Sequence, residues 1–162
     1  MLAPVDRVQR RLLRELALSE EEALEVYKLA PLSSRRDMAM LGLLHRVILG
    51  DVSPQLRALF PLAPLNDSRR LPTRLGVRRR RYQLQEPSFH TDVLKRSIFG
   101  LTVVYNLLPA KIVASKSVKV FQSLLQAALR NAAANGIDNW QRVFAPDVRP
   151  VRAVAFQGLF VA

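Results

Sequence analysis

The chain contains no cysteine. Disulfides, thiol nucleophiles and cysteine-ligated zinc are thereby excluded. Histidine is almost as scarce: His45 and His90 are the two, and neither has a carboxylate or second histidine at metal-ligand spacing. His45, beside Arg46 on a predicted helix, is expected to face the surface or a phosphate. Six glycines are scattered and never gather into a phosphate-cradling loop. The longest apolar run, Ile98 to Leu108, contains Asn106 and stops before Pro109, whereas a bilayer span needs about 20 residues. No membrane partner is expected. Asp6, Arg7, Arg10 and Arg11 interrupt the N-terminus before a secretory signal can form, so a nuclear or cytoplasmic location is expected. Acids are few, 13 against 25 basic residues. Glu20, Glu21, Glu22 and Glu25 fall in the first turns of a predicted helix, where the helix dipole accounts for them. No aspartate pair stands on a hairpin of the kind that holds two magnesium ions. No metal, no cofactor and no catalysis by this chain are expected.

What is abundant is arginine. Of the 25 basic residues 20 are arginine, and the net charge over 162 residues is +12. Guanidinium forks onto phosphate with two parallel hydrogen bonds, where lysine is a point charge. The densest run is Arg78-Arg79-Arg80-Arg81, within a stretch from Pro61 to Ser88 that holds seven arginines, four prolines and two acids, Asp67 and Glu86. Four adjacent guanidinium groups cannot enter a core. They repel one another and call for an outside anion, of which a nucleic-acid backbone is the commonest large one in a cell.

Hydrophobic residues make up 49% of the chain, ample for a core. Their periodicity predicts an all-α fold: two small helical blocks, 1–60 and 89–144, joined by the basic Arg/Pro-rich linker 61–88, with an irregular tail 145–162. Val5, Val8, Leu12 and Leu16 recur at helical spacing, with the arginines largely off that stripe. Ser19 and Glu22 form a capping-box pattern that starts a second helix carrying Ala23, Leu24 and Tyr27, and Pro31 stops it. Ser33 or Ser34 is placed to cap a third, with Met38, Leu41, Leu44 and Ile48 on its apolar face and Gly50 at its end. Ser53-Pro54 opens a short fourth helix. In the second block Thr91 is placed to cap a helix through Leu108, weakened by Gly100, and Thr102-Val103-Val104 leaves a strand open there. Ser115 or Ser117 caps the strongest helix, striped by Val118, Phe121, Leu125, Ala128 and Ala132 and ended by Gly136. A short turn or helix follows around Trp140 and Phe144.

The nucleic-acid-binding candidates are Arg78, Arg79, Arg80 and Arg81 as an electrostatic clamp, with Arg35, Arg36, Arg46, Lys95 and Arg96 as helix-borne contacts. Asp37 beside Arg35 and Arg36 supports either a phosphate contact or a solvated helix end. Lys95, Arg96, Lys111, Lys116 and Lys119 form a second basic set around Tyr105-Asn106 and Pro109. Tyr105, at helical spacing, reads as core rather than as a base-stacking platform.

Several segments together resemble the region downstream of the palm in non-LTR retrotransposon reverse transcriptases. Val8-Gln9-Arg10-Arg11-Leu12-Leu13-Arg14-Glu15-Leu16 resembles their "LQRRFLREL" helix. Leu29-Ala30-Pro31-Leu32, Arg35-Arg36-Asp37 and Ala39-Met40-Leu41-Gly42-Leu43-Leu44-His45-Arg46 resemble their "LAPL…RRD-AMLGL-HR" segment. Tyr105-Asn106-Leu107-Leu108-Pro109 matches "W/Y-N-x-L-P", and Ser117-Val118-Lys119-Val120-Phe121 matches the "S-x-x-x-F" helix that follows. The resemblance spans Val5 to Val143. It implies a helical, basic appendage that helps hold RNA or DNA. The palm and the cysteine-histidine knuckle of some relatives are missing from the sequence, so polymerase activity does not carry over. The alternative is a helical interaction module that packs on a polymerase palm or thumb domain, with the basic linker merely solvated.

Overall fold

The computed structural model describes residues 3–63, 83–88, 91–95 and 97–145. The fold is all-α: among the described residues there are eight α-helices, a closing 3-10 turn and no strand. The helices are α1 Ala3–Glu15, α2 Glu20–Glu25, α3 Leu32–Leu49, α4 Pro54–Ala58, α5 Asp92–Lys95, α6 Leu101–Leu107, α7 Ala110–Val113 and α8 Val118–Ala134, with the 3-10 turn at Trp140–Arg142. Arg78 to Arg81, Arg96 and the tail 146–162 lie outside the described residues.

The centre is an antiparallel pair. Late in its course α3 meets the start of α8, where His45 stacks on Phe121 with ring centroids 4.1 Å apart. Early in its course α3 meets the segment after α8, where the Ser34 hydroxyl donates to the Gln141 carbonyl. Leu41 and Leu44 of α3 and Phe121, Leu125, Ala128, Leu129 and Ala132 of α8 are fully enclosed in one core, which also takes Leu24, Leu101, Tyr105, Trp140 and Phe144. Helices from before and after the arginine segment therefore share that core. Three of the expected four α3 positions are buried and Ile48 is half-buried.

Local rules explain most boundaries. The Ser19 hydroxyl accepts from Glu22 N–H at 3.0 Å and the Glu22 carboxylate accepts from Ser19 N–H at 2.9 Å, the reciprocal box that starts α2. Gly50 and Gly136 end α3 and α8 in the left-handed region, at φ 80° and 63°. The Ser53 hydroxyl caps α4.

Four expectations require correction. The α3 cap is not a serine: Pro31 holds the cap position, the helix starts at Leu32, and Ser34 turns inward to Gln141. The helix expected from Thr91 to Leu108 is broken into α5 and α6. At Gly100 a Cβ would sit 1.8 Å from the Lys95 carbonyl oxygen, so only glycine lets the chain fold back there. Thr102-Val103-Val104 is helical, closing the strand alternative. The α1 stripe is not a core face. Val8, Leu12 and Leu16 stand 69%, 49% and 57% exposed, while Leu13 is buried and the Gln9 amide donates to the Ala30 carbonyl at 3.2 Å. Tyr27, beyond the end of α2, is likewise exposed.

Candidate nucleic-acid interface

The antiparallel pair sets two chemically distinct ends. Arg35 and Arg46 are both on α3, but 11 residues of helix separate them by about 16 Å along the axis. The helix-borne candidates therefore do not form one cluster.

At the α3 N-terminus, Arg35 is exposed and Arg36 is committed. Both its Nε and Nη2 donate to one oxygen of Asp37, at 3.2 and 3.0 Å, and the Asp37 carboxylate is 5% exposed. A nearly buried carboxylate needs such partners to remain ionised. Asp37 thus anchors Arg36 rather than supporting the helix dipole. Beside this end lies an open cleft of about 520 Å³ whose lining includes Asp6, Glu20 and Glu21 along with Arg10 and Arg142. Its groups answer one another. Glu20 accepts from Arg10 and from Gln141, each at 3.1 Å, and Glu21 accepts from Trp140 Nε1 at 3.1 Å. Three carboxylates make it a poor seat for phosphate.

The opposite end is built from inside outward. His45, expected at the surface, is fully buried between α3, α6 and α8. Its Nδ1 lies 2.9 Å from the Tyr105 hydroxyl and its Nε2 2.9 Å from the Ser115 carbonyl oxygen. A carbonyl can only accept, so Nε2 carries the proton and Nδ1 accepts from the tyrosine. Burial lowers the His45 pKa from 6.5, with the Ser115 bond pulling the other way, and the ring is neutral. The sequence missed this because helical position 45 reads equally as surface when the facing helices are unknown. Tyr105 is core, as expected.

Next to Tyr105, the Asn106 side chain does backbone work. Its Oδ1 accepts from Leu84 N–H at 3.0 Å, and its Nδ2 donates to the Leu84 carbonyl at 2.9 Å and to Glu86 at 3.1 Å. Leu84 is buried and forms an isolated antiparallel bridge with Leu62. Ala63 N–H donates to Gln83 and Gln85 N–H to Pro61, each at 2.8 Å. Residues 64–82, with Arg78 to Arg81 among them, fall in sequence between the two segments of this bridge and outside the described residues.

Around this buried network the outside is basic. Lys111 of α7, Lys116 of the α7–α8 loop and Lys119 of α8 are exposed, and no acid among the described residues forms an ion pair with any of them. Arg46 is exposed and pairs with Asp51 at 3.1 Å. The first turn of α8 holds no acid and its N-cap Ser117 makes no side-chain cap bond. Lys119 instead stands in that turn, where a cation meets the positive end of the dipole at a cost of about 0.3–1 kcal/mol. An anion bound across Lys116, Lys119 and the free N–H groups would reverse that cost. Lys95 closes α5 and is exposed. No group of three or more metal-ligating side chains occurs among the described residues, and no described helix is long and apolar enough to cross a membrane. Comparison with protein-family models, with curated proteins and with solved structures finds no match to this chain.

Proposed function

We propose that this chain binds RNA or DNA through phosphate contacts, with no catalysis of its own, as a remnant of the post-palm region of a non-LTR retrotransposon reverse transcriptase. The observation that carries the binding is the acid-free N-terminus of α8, which has no side-chain cap, with exposed Lys119 in its first turn, Lys116 just before it and Lys111 on the preceding α7. Arg46 stands at the same end, and Asn106, next in sequence to Tyr105, bonds Leu84 and Glu86. Lys95, Arg96 and Arg78 to Arg81 extend the contact. Arg35 belongs to the other end and is a weaker contributor. Phosphate contacts position a protein without reading sequence, so discrimination between sequences is small. The origin rests on the resemblance, whose "Y-N-x-L-P" residues Tyr105 and Asn106 bear internal duties here.

Fluorescence anisotropy with a labelled single-stranded RNA, across a salt series, tests the reading. Neutralising about four to six phosphates gives a slope of log K against log salt of about −3 to −4 on a single strand. Replacing Lys111, Lys116 and Lys119 with serine flattens the slope and weakens all sequences alike. Unchanged affinity and slope would refute it. The alternative, a module that packs on a protein such as a palm or thumb domain, draws on a different surface, the exposed apolar stripe of α1.

A further inference from the structure

Val8 and Leu12 on one side of α1 and Leu16 in the turn just past its end follow one another at four-residue spacing, all about half or more exposed. Val26 and Tyr27, just past the end of α2, are exposed as well, at 67% and 61%. Single exposed apolar residues are ordinary, but a helical stripe of them marks a docking face. Its margin is basic. Arg7, Arg11 and Arg14 run beside the stripe and all are exposed. Glu15, the acid on that margin, is taken by Arg11 at 3.0 Å. No acid among the described residues forms an ion pair with Arg7 or Arg14, whose Nε reaches only the Arg10 carbonyl.

We propose that this face of α1 docks an amphipathic helix of another protein whose apolar stripe is bordered by aspartates or glutamates. Charge complementarity selects this occupant. A second copy of the chain would set arginine margin against arginine margin on molecules of net charge +12. A bilayer is disfavoured because α1 cannot sink into it: Leu13 and Gln9, on the opposite margin of the stripe, are held on the core. The proposal is independent of the phosphate face, which lies at the far end of α3.

The test titrates the full chain into a fluorescein-labelled synthetic helix with a leucine stripe flanked by glutamates, and into the same helix with lysines in their place. The glutamate helix binds, and the lysine helix binds at least about tenfold more weakly, a difference of about 1.4 kcal/mol. The Val8→Gln/Leu12→Gln/Leu16→Gln variant loses at least about tenfold for the glutamate helix while its RNA affinity and helicity are unchanged. If that variant unfolds, amide shifts confined to α1 of the native chain on adding the glutamate helix decide the matter. Failure of the glutamate helix to bind, equal binding by the triple variant, or uptake onto phosphatidylserine vesicles in place of the helix would each overturn it.

Discussion

The two ends of the α3–α8 pair use polar chemistry in opposite ways. At the α3 N-terminus, Arg36 pairs with Asp37 and Arg10 with Glu20, and the Trp140 indole donates a hydrogen bond to Glu21. At the α8 N-terminus the polar bonds are buried, from His45 to Tyr105 and Ser115, and the cations outside have been left largely without acids. The first arrangement ties elements together and offers little to a ligand. The second stabilises the fold with neutral groups and leaves its surface charge to act outward. Each place carries two cations within four residues of sequence, Arg35 with Arg36 and Lys116 with Lys119, so the count of charges does not distinguish the two. Pairing in three dimensions does.

The largest expected effect comes from breaking the buried side of that contrast. His45→Ala removes a buried ring stacked on Phe121 together with its hydrogen bonds to Tyr105 and the Ser115 carbonyl, a loss of about 3 kcal/mol in urea unfolding. Ser34→Ala, at the other end, breaks one hydrogen bond and costs about 1 kcal/mol. Equal costs would erase the distinction between an aromatic-lined network and a single tie.

Reversing surface charge sharpens the comparison on its functional side. Lys116→Glu with Lys119→Glu should weaken single-stranded RNA binding at least about tenfold, whereas Arg35→Glu should change it about twofold or less. Replacing Arg78, Arg79, Arg80 and Arg81 together with serine should flatten the salt slope while circular dichroism stays unchanged, since the run cannot belong to a core. A larger effect from Arg35 than from the lysine pair would move the interface to the wrong end.

Near pH 6.5, acid should act through the buried histidine. The folded His45 has a pKa below the value of 6.5 that it regains on unfolding. Below pH 6.5 the unfolded chain therefore binds a proton that the folded chain refuses, and stability falls as pH drops toward the folded pKa. Urea midpoints recorded on either side of pH 6.5 should show this fall in the native chain and lose this component in His45→Leu. The smallest effect lies outside both ends: Ala17 adopts φ 52° after α1, and Ala17→Gly should gain about 0.5–1 kcal/mol in thermal unfolding.

Much of the fold was legible because caps and stops are local. Ser19 with Glu22, Ser53 with Pro54, Gly50 and Gly136 each act through neighbours within a few residues, and the α8 stripe is buried as its spacing predicts except at Val118, which is half-buried. What failed depended on what faces each helix. The stripe of α1 has the right period, but the core takes the flank at Leu13 and leaves Val8 and Leu12 outside. Ser34 has the chemistry of a cap and instead meets a carbonyl 107 positions away. The helix expected through Gly100 breaks because Lys95 comes close to it, which no propensity records. Of the candidate site, the basic composition was legible; the commitment of Arg36 to Asp37 and the burial of His45 were not, since each depends on packing.

The most direct test of the central claim is an amide shift map of the native chain titrated with a short single-stranded oligonucleotide. The account predicts shifts concentrated at Arg46, Lys111 and Lys116 to Val120, together with the arginine segment, and little change at Ser33 to Asp37 or Gln141. Shifts centred on Arg35, Arg36 and the cleft at Glu20, or none at the start of α8, would contradict it.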